Sequence, residues 1–303
     1  DPTATYPDAG SARVFFRSGS RWIQEWILAP VSATGDERLG TAVSMSADGT
    51  RALIGMSGYM SLSGGARLYL RTGTAWGEET LLVPSGAVAN DNGGASVALS
   101  ADATRAILGA SLDDTAGGTD SGSARIFART GSTWMEEAIL IAPDAAGFDR
   151  FGGSVALDGD GTRAVVGAPF DDTAGGIDAG SVRVFLRTGT VWTQEAALLM
   201  TGGAAMDKAG SSVSITADGT RIVVGAPEDT VGVAYAGSAH VFLRTGTTWT
   251  AEATLLASGA AASRFFGSSV TVVSDGSRAL VGAPSDPGPG GWGSVRVFLR
   301  LGT

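Results

Sequence analysis

The sequence predicts an all-β fold, a β-propeller, and three observations carry that reading. A segment seen most clearly as Gly180-Ser-Val-Arg-Val-Phe-Leu-Arg-Thr-Gly-Thr190 recurs six times, its last arginine falling at Arg17, Arg71, Arg129, Arg187, Arg244 and Arg300. The steps are 54, 58, 58, 57 and 56 residues, a period that marks a repeat architecture. A tryptophan stands five residues after each of the first five arginines, at Trp22, Trp76, Trp134, Trp192 and Trp249. Finally, each unit reads as four short strands whose two faces both carry apolar residues.

The best-preserved unit shows the elements in order. Residues 151–157 form a first strand, and Asp160-Gly161 after it favours a tight hairpin with positive φ. Residues 162–166 form the second strand, which stops at Gly167-Ala168-Pro169 because proline lacks the ladder donor. A polar loop, 171–178, leads to the third strand at 181–187, and Thr188-Gly189-Thr190 turns it into the fourth at 191–199. The glycine-rich stretch 201–208 then crosses to the next sheet.

Val182, Val184 and Leu186 alternate with Phe185 and the arginine stems, so the sheet needs cover on both sides. Stacking such sheets around an axis supplies it. An open β-solenoid is the rival, but its coils are shorter than a unit of about 58 residues.

The chain is read as one propeller domain, 1–303. Its units are 29–83, 84–141, 142–199, 200–256 and 257–300, with N-terminal strands in 10–28 closing the ring. The strands number 21, one more than five four-stranded blades need. Either the ring has five blades and one redundant or exchanged third-type strand, 11–17 or 294–300, or the chain belongs to a longer array. Asp1-Pro-Thr-Ala and Asp8-Ala-Gly-Ser11 match Asp172-Thr-Ala and Asp178-Ala-Gly-Ser181. The chain thus opens inside a repeat, and any signal peptide or flanking domain is expected to have been removed or to lie outside this stretch.

Composition narrows function. The 303 residues include 44% apolar and 17% charged side chains, 46 glycines and no cysteine, so disulfides and thiolate chemistry are excluded. No apolar run approaches the roughly 20 residues of a membrane-spanning helix. The net charge of -9, with Lys208 the one lysine, disfavours nucleic acid. The arginines repeat with the units, five like Arg163, five like Arg183 and six like Arg187, so no basic patch is expected. An acidic, lysine-poor chain with polar turns fits an extracellular or cell-surface location.

Phe151-Gly152 with Ser154-Val155, Asp160-Gly161, Val166-Gly-Ala-Pro169 and Gly180-Ser-Val-Arg-Val-Phe185 resemble the FG-GAP repeats of integrin α-subunit propellers and their bacterial relatives. Phe266-Gly267 and Gly282-Ala-Pro284 repeat the pattern well, whereas Leu39-Gly40 and Gly93-Gly94 are degenerate copies. The resemblance implies an extracellular propeller, commonly of seven blades, used for adhesion or ligand binding, with calcium often held in the hairpin between first and second strands. Here the loop positions that carry calcium ligands in the family are Ala156, Asp158, Asp160 and Ala164. Two of the four lack an oxygen, so a plain hairpin is expected, no cofactor is predicted, and calcium is the one candidate ion.

A second acidic cluster comprises Asp113, Asp114 and Asp120, repeated as Asp171, Asp172 and Asp178, with partial copies at Glu228-Asp229 and Asp286. Aspartates cap turns in such loops; a divalent-cation or ligand site on one rim is the alternative. The chain has one histidine, His240, at a position where other copies have arginine. With Ser238 it makes no catalytic triad, so no enzyme is expected. The repeated tryptophans, Trp22, Trp76, Trp134, Trp192 and Trp249, are read chiefly as packing and alternatively as sugar-stacking platforms. Trp26 and Trp292 fall off the repeat and read as surface or closure features. Arg183 with Glu195, and its copies Arg125 with Glu137 and Arg67 with Glu79, are expected to face each other across the third-to-fourth hairpin.

The function expected is therefore a non-catalytic recognition or adhesion module binding a protein or glycan through its rim loops. The alternatives are a structural subunit of an extracellular filament or surface layer, self-associating through the surplus terminal strand, and a multivalent lectin.

Overall fold

The computed structural model describes residues 8–30, 35–259, 262–286 and 293–301. Strands β1 (Ala12–Ser18) and β2 (Arg21–Leu28) form a two-stranded sheet. Blade 1 comprises β3 (Leu39–Met45), β4 (Arg51–Met56), β5 (Ala66–Thr72) and β6 (Ala75–Leu82). Between β4 and β5 lies one helical turn, α1 (Tyr59–Leu62), in which Met60 and Ser61 have left-handed φ. Blade 2 has β7 (Ser96–Leu99), β8 (Arg105–Ala110), β9 (Ser123–Thr130) and β10 (Thr133–Leu140). Blade 3 has β11 (Ser154–Leu157), β12 (Arg163–Ala168), β13 (Ser181–Thr188) and β14 (Val191–Leu198), close to the strands predicted. Blade 4 has β15 (Ser212–Ile215), β16 (Arg221–Ala226), β17 (Ser238–Thr245) and β18 (Thr248–Leu255). Blade 5 has β19 (Ser269–Val272), β20 (Arg278–Ala283) and β21 (Ser294–Leu299).

Every sheet is an antiparallel meander, and the first strands β3, β7, β11, β15 and β19 lie side by side in that order. This is the predicted all-β propeller, with five blades and an added strand pair. Its core is a series of layers between blades. Val182, Val184 and Leu198 of blade 3 meet Ile222, Val224 and Phe242 of blade 4 with almost no exposure.

Two glycines per junction make this stacking possible. A Cβ on Gly167, which closes the second strand, would lie 2.1 Å from the carbonyl oxygen of Gly210 at the entry to the next blade. Gly55, Gly109 and Gly225 meet the following blade in the same way, at 2.0 Å. The glycines of the repeated motif are thus required by backbone approaching backbone across the junction.

The ends differ from the interior. Residues 22–28 do not complete the last sheet: β2 pairs with β1, and β21 pairs only with β20 among the described residues. Among the described residues each of these third-type strands is bonded along one edge alone, β1 to β2 and β21 to β20, and the two do not pair with each other. Gly10 bridges Leu39 as Gly180 bridges Ala209, which places the β1–β2 pair ahead of blade 1. As a result Val295 and Val297 are 64% and 58% exposed, whereas their counterparts Val182 and Val184 are fully buried. Trp292 lies outside the described residues, as do residues 1–4.

The expected Arg183–Glu195 pairing is corrected by the register. The turn after β13 has two residues, since Thr188 pairs with Val191, and a bulge between Phe185 and Val184 leaves Glu195 opposite neither strand neighbour. Arg183 instead faces Ala197. The same bulge falls at Glu25, Glu79, Glu137 and Glu252, and a bulge re-aims the side chain it carries.

Candidate functional site

The bulged glutamates turn toward the neighbouring blade. The Glu195 carboxylate accepts from Arg163 Nε at 3.1 Å in its own blade, and from Arg244 Nε and Trp249 Nε1, both at 3.1 Å, in blade 4. Glu137 gathers Arg105, Arg187 and Trp192 identically, and Glu25 gathers Arg71 and Trp76. Burial opposes ionisation of Glu195, but hydrogen bonds from Arg163 and Trp249 hold it below the ordinary glutamate value. The signal in the sequence is Trp-x-x-Glu, present five times, which the hairpin reading assigned to the wrong partner. The node between blades 1 and 2 is incomplete: Arg129 donates to the Ala103 carbonyl, and the buried Trp134 indole nitrogen has no partner among the described residues. Three of the five tryptophans, Trp76, Trp192 and Trp249, thus give their N–H groups to junctions between blades, while Trp22 is 69% exposed.

The predicted acidic clusters resolve into loop chemistry. Asp113 is buried and accepts from Ser123 Oγ at 2.5 Å and Arg125 Nη2 at 2.7 Å, while Asp114 accepts the Asp120 amide at 2.9 Å. Asp171 takes Ser181 and Arg183, and Asp172 takes the Asp178 amide. Asp120 and Asp178 occupy the left-handed region, at φ 52° and 53°, where aspartate is tolerated. Arg183 also grips Asp144 at 2.7 Å. In the hairpin, Asp158 accepts the Arg163 amide and the Thr162 hydroxyl, and Asp160 accepts the Thr162 amide. With those oxygens engaged and alanine at 156 and 164, the hairpin does not fit a calcium ion. Among the described residues no group of three or more histidine, cysteine, aspartate or glutamate side chains is arranged to hold a metal.

Two of these carboxyls make stability depend on pH. Asp158 is pushed up to about 6 by burial, and Asp149, whose carboxylate accepts the Ala146 amide, is pushed up to about 6 by burial and by Asp171 and Asp172 nearby. The unfolded values lie near 3.9. Between roughly pH 4 and 6 the native state therefore binds more protons, and stability falls as pH rises through that window. We expect the thermal midpoint to be higher at pH 5 than at pH 7. Asp149→Asn, which keeps an acceptor for Ala146, should raise stability at pH 7 by on the order of 1 kcal/mol after allowance for solvent screening. Identical midpoints for both proteins at pH 7 would refute this.

Above these braces, the loops after each second strand and the crossings between blades share one rim. The Phe148 amide donates to the Thr119 carbonyl at 2.8 Å, Arg150 to Asp120, and Phe151 to Ser121. Met206, Lys208 and Ala209 repeat the lacing onto Ile177, Asp178 and Ala179. This rim holds apolar side chains out in solvent: Phe148 is 61% exposed and Ile177 66%, with Met206, Val233 and Tyr235 at about 40%. Phe148 and Met206 both sit at φ 72°, unfavourable for bulky side chains. Between them Phe170 is flanked by Arg150 at 4.6 Å and Lys208 at 5.0 Å from its ring centre. Loop composition gave no sign of this surface.

The FG-GAP repeat pattern matches residues 76–127, 134–185, 192–242 and 249–298, more than half the chain. The chain belongs to the FG-GAP repeat family. No curated protein matches it. Among solved structures it is similar to the Kuenenia stuttgartiensis hydrazine synthase, with a TM-score of 0.53 and 14% identity over 86% of this chain. The match spans 63% of that protein's chain and shows the shared fold alone. Among the described residues of the FG-GAP protein, no helix is long and apolar enough to cross a membrane.

Proposed function

We propose that this FG-GAP propeller is a non-catalytic recognition module, acting outside the cell, that binds a protein partner through the laced rim of blades 3 and 4. The observation that carries the reading is the row of exposed apolar side chains, Phe148, Ile177 and Met206, on backbone already tied down between blades. A preordered apolar platform loses little entropy on binding, and such exposed patches mark interaction sites. Family membership supports the extracellular location. Engagement of Trp76, Trp192 and Trp249 at blade junctions weighs against a lectin built on those rings.

Phe148→Gly separates binding from folding, because glycine relieves the left-handed strain while removing the contact. The thermal midpoint should stay level or rise slightly. Binding to partners selected from an array of extracellular proteins should weaken about tenfold or more, as for an interface anchor. Unchanged binding by Phe148→Gly together with Ile177→Ser would sink the assignment of this rim.

A second reading, self-association, draws on the open ends. Among the described residues Glu252 pairs with Arg221 alone, beside an apolar groove of about 260 Å³ lined by Val241, Leu255, Phe298 and Leu301. Trp22, the counterpart of Trp249, has no glutamate. A concentration-dependent mass in light scattering, lost in Trp22→Ser, is the outcome this reading requires.

A further inference from the structure

Blade 4 differs from its neighbours in one buried residue. In blades 2, 3 and 5 the brace beneath the rim is an arginine, Arg125, Arg183 or Arg296, whose Nη2 binds Asp113, Asp171 or Asp286. The same carboxylates accept the hydroxyls of Ser123, Ser181 and Ser294. Blade 4 keeps the aspartate and serine as Asp229 and Ser238, but the cation is replaced by His240, which is 7% exposed.

Hydrogen bonding assigns the neutral tautomer. Ser238 Oγ donates its single proton to Asp229 Oδ2 at 2.5 Å, so the 2.9 Å contact between Ser238 Oγ and His240 Nε2 needs its proton on Nε2. Nδ1 then accepts from Thr254 Oγ1 at 3.4 Å. A second proton would go to Nδ1, and the Thr254 hydroxyl can rotate to accept it. Both states fit without displacing a side chain.

Two acidic groups face the ring: Asp229, 3.9 Å from Nε2, on the loop after β16, and Asp207 on the crossing into the blade. β18 presents Thr254 and β16 presents Val224 opposite His240, neither charged. Lys208, the nearby cation, pairs with Glu228 at 2.7 Å. With neutral His240 these two carboxylates lack the guanidinium present in other blades.

We propose that His240 is a protonation-gated brace, so that acid tightens residues 229–237, the part of the rim that blade 4 contributes. The Gly237 amide ties back to the Asp229 carbonyl at 2.9 Å, so a firmer Asp229 holds the whole loop. That loop presents Val233 and Tyr235, the latter stacked on Phe265 with ring centres 6.2 Å apart. The consequence for binding rests on the recognition reading above; the brace itself does not. An imidazole can take up and release a proton in water, whereas a guanidinium stays charged.

Hydrogen exchange of residues 229–237, corrected for intrinsic rates, tests this on the full chain without any partner. Wild-type protection should increase about tenfold from pH 7.5 to 5.5. His240→Arg should be protected at both pH values and His240→Gln at neither, while Asp207→Asn keeps the acid response. Equal wild-type protection at both pH values, or an acid gain surviving in His240→Gln, would overturn the proposal. Either result leaves the Phe148 test of the rim unaffected.

Discussion

Gly167→Ala is expected to destabilise the propeller by at least about 3 kcal/mol, while the same change at Gly282 is nearly neutral. The two glycines occupy the same place in the repeat. At Gly167 the added Cβ would come within 2.1 Å of the Gly210 carbonyl oxygen, and neither backbone can yield without separating blades 3 and 4. At Gly282 the nearest atom is Ser269 Oγ at 2.4 Å, a side chain able to rotate away, and among the described residues no following blade's backbone lies against it. Urea unfolding of the two variants checks this directly. A destabilised Gly282→Ala would show that another blade's backbone covers the last one in solution. A stable Gly167→Ala would show that the junctions are looser than backbone contact.

Glu195→Ala should cost on the order of 3 kcal/mol, because it leaves Arg163, Arg244 and the Trp249 indole without their common acceptor at a site only 5% exposed. Glu252→Ala removes one arginine pair at a more open position and should cost less than about 1 kcal/mol. Glu195→Gln, which keeps an acceptor oxygen, should fall between them. Because Glu195 is held below its ordinary value, its contribution is present at neutral pH and is lost as pH falls through the folded value, in acid. Equal midpoints for Glu195→Ala and Glu252→Ala would refute the view that one carboxylate joins two blades.

Much of the fold was legible because repeats expose their own rules. The Asp160-Gly161 hairpin, the break at Pro169 and the third strand beginning at Ser181 are local events, written in turn residues and alternation. The bulge at Glu195 was not legible, since one extra residue in an eight-residue strand leaves no change of period. Its partners Arg244 and Trp249 lie 49 and 54 residues away. The five Trp-x-x-Glu copies advertise a shared role without saying which blade receives it. The rim was hidden for another reason: an apolar residue in a loop, such as Phe148 or Ile177, reads as buried until the backbone around it is seen to hold it outward.

Residue order alone therefore sets the strands and the turns, because each depends on side-chain alternation and turn chemistry within one unit, and the regular period sets that like units follow one another. It also shows that 21 strands exceed five blades by one. Which strands pair at the ends, where each bulged glutamate points and which loop faces stay open to solvent depend on contacts between separate units. Identical repeats make those choices nearly equivalent in sequence, so they are resolved only by what each copy finds beside it: a following blade at Val182, and solvent at Val295.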